Sequence, residues 1–226
     1  MTLKANSPEQ VPSAKGASEP AAEKRRVSPD ERRAAILDAA LDVFAENGFA
    51  AARLDDVAQK AGVAKGTLYL YFPDKEALFE DLLRGVASPV LERFAALATD
   101  QAIPAGVMLE RILDVFASQI IGTKRERLVR LIITEGPRFP RIAEFYHREV
   151  ISKGREIIRA VVARGYERGE LPSNQMAKFP QLFFAPLLMA VMWRALFSQF
   201  DPLDVNGMIE AHRKLMLGVK DEEDQT

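Results

Sequence analysis

The apolar positions of this chain recur at helical spacing from about residue 28 to residue 219. No stretch alternates apolar and polar residues as a strand does. The first pattern opens at "SPDE", where Ser28 can cap, Pro29 suits the first helical position and Glu31 completes a capping box. Ile36, Leu37, Ala40, Leu41 and Phe44 then form one face, and "ENG" ends the helix with Gly48 placed for the left-handed conformation. A second helix over Leu54 to Ala61 buries Leu54, Val57, Ala58 and Ala61, and Gly62 stops it. A third starts near Lys65 and runs to Phe72. Two short helices joined by a tight glycine-containing turn make a helix-turn-helix pattern. Pro73 and Asp74 break and recap the chain. A fourth helix then shows Ala77, Leu78, Leu82, Leu83 and Val86 on one face.

The spacing predicts further helices at about 91–99, 104–121, 124–135, 140–168, 174–199 and 204–219. "TKRE" offers a capping box between Thr123 and Glu126, "GPRFP" a break, and "GELPSN" a loop. The fold class is therefore all-α. The apolar run from Phe179 to Phe200 is long enough to be weighed as a membrane span. It contains Arg194, Gln181, Gln199, Pro180 and Pro186, and a central arginine costs about 2.5–3.5 kcal/mol on insertion. The run is expected as a helix buried on several sides, with no membrane partner.

Composition narrows the chemistry. The chain has 226 residues, 48% of them apolar, which suffices for a substantial core. The absence of cysteine excludes disulfides, thiolate metal sites and a cysteine nucleophile, and suits a cytoplasmic setting. "MTLKANSPEQ" lacks the basic start and apolar run of a secretory leader. With two histidines, His147 and His212, acid–base or metal chemistry would rest on carboxylates; no cofactor or metal is expected. His147 and Glu149 stand two apart and do not share a helix face. No phosphate loop, metal-binding helix or nucleophile elbow appears. Residues 1–27 have few large apolar groups and read as a disordered arm ending in Lys24, Arg25 and Arg26. Residues 221–226 read as a solvated tail. A net charge of −1 leaves any nucleic-acid attraction to local charge placement.

One stretch supplies such placement. In "VAKGTLYLYFPDKEAL", residues 63–78, Tyr69 and Tyr71 stand beside Lys65 and Lys75. Together with the segment from Arg32 to Leu83, this stretch resembles the DNA-binding domain of the TetR family of transcriptional regulators. The resemblance implies a helix-turn-helix domain over 28–75 and a helical ligand-binding and dimerisation domain over 76–220. It also implies double-stranded operator DNA, a small apolar effector and a homodimer as partners. Lys65, Thr67, Tyr69, Tyr71 and Lys75 match positions that the family uses on DNA. Gly66 lets the start of the recognition helix approach a backbone closely, while Leu68 and Phe72 face inward. The sequence departs from the family at Arg53, where a serine or threonine is usual, and at Ala64, where a serine cap is common. Arg53 loses that cap but can reach a phosphate or a guanine.

In the second half, the apolar coverage of Phe179–Phe200, with Asp204–Val219, suggests the dimer interface. Met108, Ile112, Phe116, Phe145, Tyr146, Met189 and Trp193 are candidates to line an apolar ligand cavity, with Tyr146, His147 and Arg194 as polar anchors. The expected function is a ligand-released repressor. A dimer seated on a promoter blocks polymerase without further contacts, which favours repression over activation. The alternatives are a hydrophobic-ligand carrier, which would leave Tyr69 and Lys75 without a purpose, or an enzyme, for which no catalytic motif appears.

Overall fold

The computed structural model describes residues 28–219. Both the arm with Lys24, Arg25 and Arg26 and the tail at 221–226 lie outside the described residues. Among these the chain is all-α: α1 Pro29–Ala51, α2 Leu54–Lys60, α3 Lys65–Tyr71, α4 Lys75–Thr99, α5 Ala105–Gln119, α6 Lys124–Glu135, α7 Pro140–Tyr146, a π-helical turn His147–Ile151, α8 Ser152–Glu167, α9 Gln175–Lys178, α10 Gln181–Leu196 and α11 Val205–Leu217.

The first capping box forms as the sequence predicts. Glu31 N donates to Ser28 Oγ at 3.1 Å, and Ser28 N donates to Glu31 Oε2 at 2.8 Å. Gly48 takes a positive φ of 73°, but its ψ of 166° kinks α1 rather than ending it in the left-handed form. The extra turn that follows puts Phe49 into the core. There its ring stacks on Phe44 at 5.5 Å and meets Phe79 at 5.3 Å and Phe139 at 4.8 Å, edge to face.

Four other expectations change. The segment 91–99 is not a separate helix, because α4 continues through the exposed Pro89 while Val86, Val90 and Phe94 extend its apolar stripe. The expected helix over 140–168 is α7 and α8 joined by the π turn. The expected helix over 174–199 breaks at Phe179–Pro180, where proline removes a donor and restricts the residue before it. The second capping box is not reciprocal. Thr123 Oγ1 accepts from Arg125 N at 3.1 Å, while buried Glu126 accepts from Gly122 N at 2.6 Å and pairs with Arg194 at 3.3 Å. Glu126 is thus spent on tying the start of α6 to α10.

Two apolar clusters hold the fold. The first joins α1, α2, α3 and the start of α4 to Leu128, Leu131 and Ile132 of α6 and to Ile142 and Phe145 of α7. The second joins Val90 and Phe94 of α4 to α5, α8, α10 and α11. α4 belongs to both. The first cluster crosses the boundary at 75/76, because the small three-helix head is completed by side chains from α6 and α7. None of the helices among the described residues is long and apolar enough to cross a membrane.

Candidate nucleic-acid interface and apolar cavity

α3 has seven residues, too few to be stable alone. It is held by Leu68 and Phe72, both buried, and braced by α2 across Gly62, whose φ is 67°. Its outer face is left to solvent. Tyr69 is 44% exposed and Leu70 86% exposed. Gly66 has an ordinary backbone conformation, and a Cβ added there would meet nothing within 4 Å. Neither torsion nor internal packing therefore calls for a glycine at that position.

Arg53, Lys65, Tyr69 and Lys75 come together around one shallow depression, with Asp55, Asp74 and Glu76 at its edge. Arg53 begins α2 without a side-chain cap and is exposed. Lys65 Nζ pairs with Asp55 at 2.9 Å and lies 5.9 Å from the centre of the Tyr69 ring. The hydrogen bond to Asp55 raises the Lys65 pKa, so the ammonium stays charged. Ala64 caps α3 with no side-chain hydrogen bond. Thr67 is partly exposed one residue beyond Gly66.

Besides Lys65, two of the expected contact residues are already engaged. Lys75 Nζ donates to the carbonyls of Phe49 and Ala50, each at 2.9 Å, and lies 4.8 Å from the centre of the Phe49 ring. It closes the end of α1, where carbonyls lack helical partners. Tyr71 turns its hydroxyl toward the carbonyl of Pro29 at 3.4 Å and packs partly into the core. Sequence reasoning passed over Leu70. An apolar residue beside two tyrosines reads as core until the backbone shows which way it points.

Below this head lies an apolar cavity of about 270 Å³. Leu83, Val86, Val90 and Phe94 of α4 form one wall, and Leu128 and Ile132 of α6 another. α5, the π turn, α8 and α10 close the remainder. Of the seven candidates from the sequence, Phe116 and Tyr146 line it. Met108 and Ile112 are buried in the second cluster, and Phe145 in the first. Met189 is largely exposed on α10. Trp193 donates its indole N–H to the carbonyl of Asp201 at 2.7 Å, away from the cavity. Of the proposed anchors, Tyr146 faces the cavity. His147 is exposed, and Arg194 is bound to Glu126. Burial pushes the Tyr146 hydroxyl up to about 12, so it stays a neutral donor. The π turn adds a residue to the helix and brings Tyr146, Val150, Ile151, Gly154 and Arg155 to one lining.

An exposed short helix, braced across a glycine turn and carried on a cavity-bearing helical bundle, makes a helix-turn-helix head on an all-α body. The chain belongs to the tetR family of bacterial regulatory proteins. Residues 36–82 match the family model of that description, and residues 108–204 match the model of the tetracyclin repressor-like C-terminal domain. Among curated relatives, the transcriptional regulator RutR of Escherichia coli K12 is 40% identical over 84 residues. That stretch is 37% of this chain and 40% of RutR, so the match spans less than half of the relative. The transcriptional repressor KstR2 of Mycobacterium tuberculosis H37Rv is 26% identical over 157 residues, 66% of this chain and 76% of KstR2. The crystal structure of Bacillus subtilis FadR in complex with stearoyl-CoA superposes with a TM-score of 0.64 at 21% identity, covering 83% of this chain and 99% of that one. Mycobacterium smegmatis AmtR superposes with a TM-score of 0.64 at 24% identity, covering 88% and 91%. At these identities the structural likenesses show the fold.

Proposed function

We propose that this protein is a dimeric transcriptional repressor that reads a palindromic operator with α3 and releases it when a small apolar effector enters the cavity. The observation that carries the reading is the exposed face of α3. Tyr69 and Leu70 stand out into solvent beside a glycine that no internal contact requires. Thr67, Tyr69 and the start of α3 at Lys65 and Gly66 meet the DNA, with Leu70 suited to a thymine methyl. Arg53 reaches a phosphate or a base edge from the start of α2. Lys75 and Tyr71 act chiefly by fixing the head, and the outer side of Lys75 adds positive charge. The functional division follows the sequence: 28–75 reads DNA, and 76–220 binds effector and partner.

The partner is a second copy of the chain. α10, α11 and their flanks leave Leu182, Met189, Leu196, Phe197, Phe200 and Leu215 exposed, with Phe200 at 77% and Leu215 at 82%. An apolar surface of this extent needs cover. Two recognition helices set about 34–36 Å apart then meet successive turns of one groove. Switching requires effector to favour the released state by about 5.5 kcal/mol to move the competent fraction from 99% to 1%. α4 is the natural lever, because it lines the cavity and contributes to both clusters. As a DNA-bound regulator the protein works in the cytoplasm.

Selection of bound duplexes from a random pool, at two salt concentrations, tests the reading. A palindromic site whose selection is lost in Tyr69→Ala supports it. Sequence-blind binding that fades with salt counts against it.

A further inference from the structure

The cavity is apolar over nearly all of its wall, yet two guanidinium groups belong to its lining. Arg125, at the start of α6, donates Nη1 to the Gln119 side-chain oxygen at 2.7 Å and to the Gln119 carbonyl at 3.3 Å, both neutral acceptors. The side chain of Arg155, on α8 just past the π turn, makes no ion pair or hydrogen bond among the described residues; the residue is partly exposed, but its Nε is buried with no partner. The carboxylate next in sequence to Arg125, Glu126, is committed to Gly122 N and Arg194. The other polar groups of the lining are the Tyr146 hydroxyl, a donor held neutral, and the Gln181 amide.

Arginine stays protonated throughout the physiological range. A guanidinium whose Nε is buried beside apolar walls, without an anion, is costly to leave unmatched. The π turn lets Tyr146, Ile151 and Arg155 line the cavity together, and Gly154 puts no side chain into the lining between them. The result is an apolar chamber with donors and positive charge in its wall and no negative charge.

We propose that the effector is an amphipathic anion, an apolar body carrying a carboxylate or phosphate head, and that Arg155 binds the head, with Arg125 and Tyr146 as supporting donors. This rests on reading the cavity as the effector site. It goes further in fixing the sign of the ligand's charge and the residue that senses it. Leu83, Val86, Val90 and Phe94 of α4 then contact the apolar body, so that the anion is anchored on α8 while its tail presses on the helix shared with the head. A neutral apolar molecule of the same length fills the same walls but leaves Arg155 unmatched.

The test uses the full chain and four ten-carbon probes: decanoate, decyl phosphate, decanol and decyltrimethylammonium. Binding is measured by calorimetry on the wild type, Arg155→Met and Arg155→Lys. Decanoate or decyl phosphate is expected to bind the wild type at least about tenfold more tightly than decanol, with the cation weakest. Arg155→Met should erase that preference while decanol binding persists, which shows that the cavity is still formed. Arg155→Lys should keep part of it. Whichever anion binds more tightly identifies the head group. Equal affinity for decanoate, decyl phosphate and decanol, a preference that survives Arg155→Met, or no binding of either anion overturns the proposal. Operator release is read separately with the same probes. Anion binding through Arg155 that leaves the operator complex intact would keep this inference and refute the release mechanism.

Discussion

The two working surfaces are built on opposite plans. The proposed DNA-reading face occupies one seven-residue helix and the residues flanking it, so its chemistry is local in the chain. The cavity is walled by α4, α5, α6, the end of α7, the π turn, α8 and α10, and its lining is spread from Leu83 to Leu188. A local site can be read from spacing because helix geometry fixes which side chains share a face. A dispersed site depends on how helices pack. A shift of one residue, as the π turn introduces, changes which side chains look inward.

The packing adds a second contrast. The reading head does not own its core. Phe139, from the loop between α6 and α7, closes on Phe49, while Leu128, Leu131 and Ile132 of α6 lie in the same cluster. Leu128 and Ile132 are also cavity wall. One helix thus has side chains in the head's core and in the lining of the cavity, which gives a physical route between them without a hinge between separate bodies.

The strongest way to break this contrast is at the shared core. Phe49→Ala removes a fully buried ring with three aromatic neighbours and should cost about 3–5 kcal/mol in urea unfolding, along with operator binding. If the head unfolds alone while α5, α8 and α10 stay intact, the two regions are less coupled than the common cluster implies. Tyr69→Ala should separate function from stability. Operator affinity falls about ten- to a hundredfold, and the melting temperature stays within a degree or two because the ring is 44% exposed. Glu126→Ala acts on the sensor side, freeing Arg194 and the amide of Gly122. It should cost about 1–3 kcal/mol with little effect on affinity for DNA measured without effector.

A smaller effect should appear with pH. Burial lowers the His212 pKa below its ordinary 6.5, and the backbone of Phe183 offsets this only in part. The folded state therefore holds fewer protons on this ring than the unfolded chain. Stability is complete above about pH 6.5 and falls as the pH drops toward the lowered folded value. His212→Gln should flatten that part of a stability–pH curve. The smallest change expected is at the ion pairs between α1 and α6. Asp38 meets Lys124 at 3.1 Å on the surface, so Asp38→Ala should alter stability by less than about 1 kcal/mol, and less still at high salt.

What was legible follows the same division. The first capping box, the glycine turn, the inward Leu68 and Phe72, and the clustering of Arg53, Lys65, Tyr69 and Lys75 were all readable, because each depends on residues close in sequence. Lys75 was legible as a cation near the interface. Its bonds to the carbonyls of Phe49 and Ala50 were not, since they depend on the kink at Gly48. Leu70 was missed because exposure is a property of the assembled head. Phe116 and Tyr146 were found among apolar residues at helical spacing, but Met108 and Ile112 share that spacing and pack into the bundle core instead. Arg155 carried no signal in the sequence. A lone arginine on a helix is ordinary surface until α4, α6 and α10 close around it.

Operator recognition as proposed needs two recognition helices carried by one dimer at a spacing that fits DNA. The chain has no cysteine, so Gln59→Cys on the exposed side of α2 places a single spin label on each protomer. Pulsed dipolar spectroscopy then reads the distance between the heads, free and with the selected operator. The account predicts a measurable separation in both states that narrows, on operator, to one population compatible with half-sites about 34–36 Å apart. No dipolar signal at micromolar protein, or a distribution that the operator leaves unchanged, would contradict it.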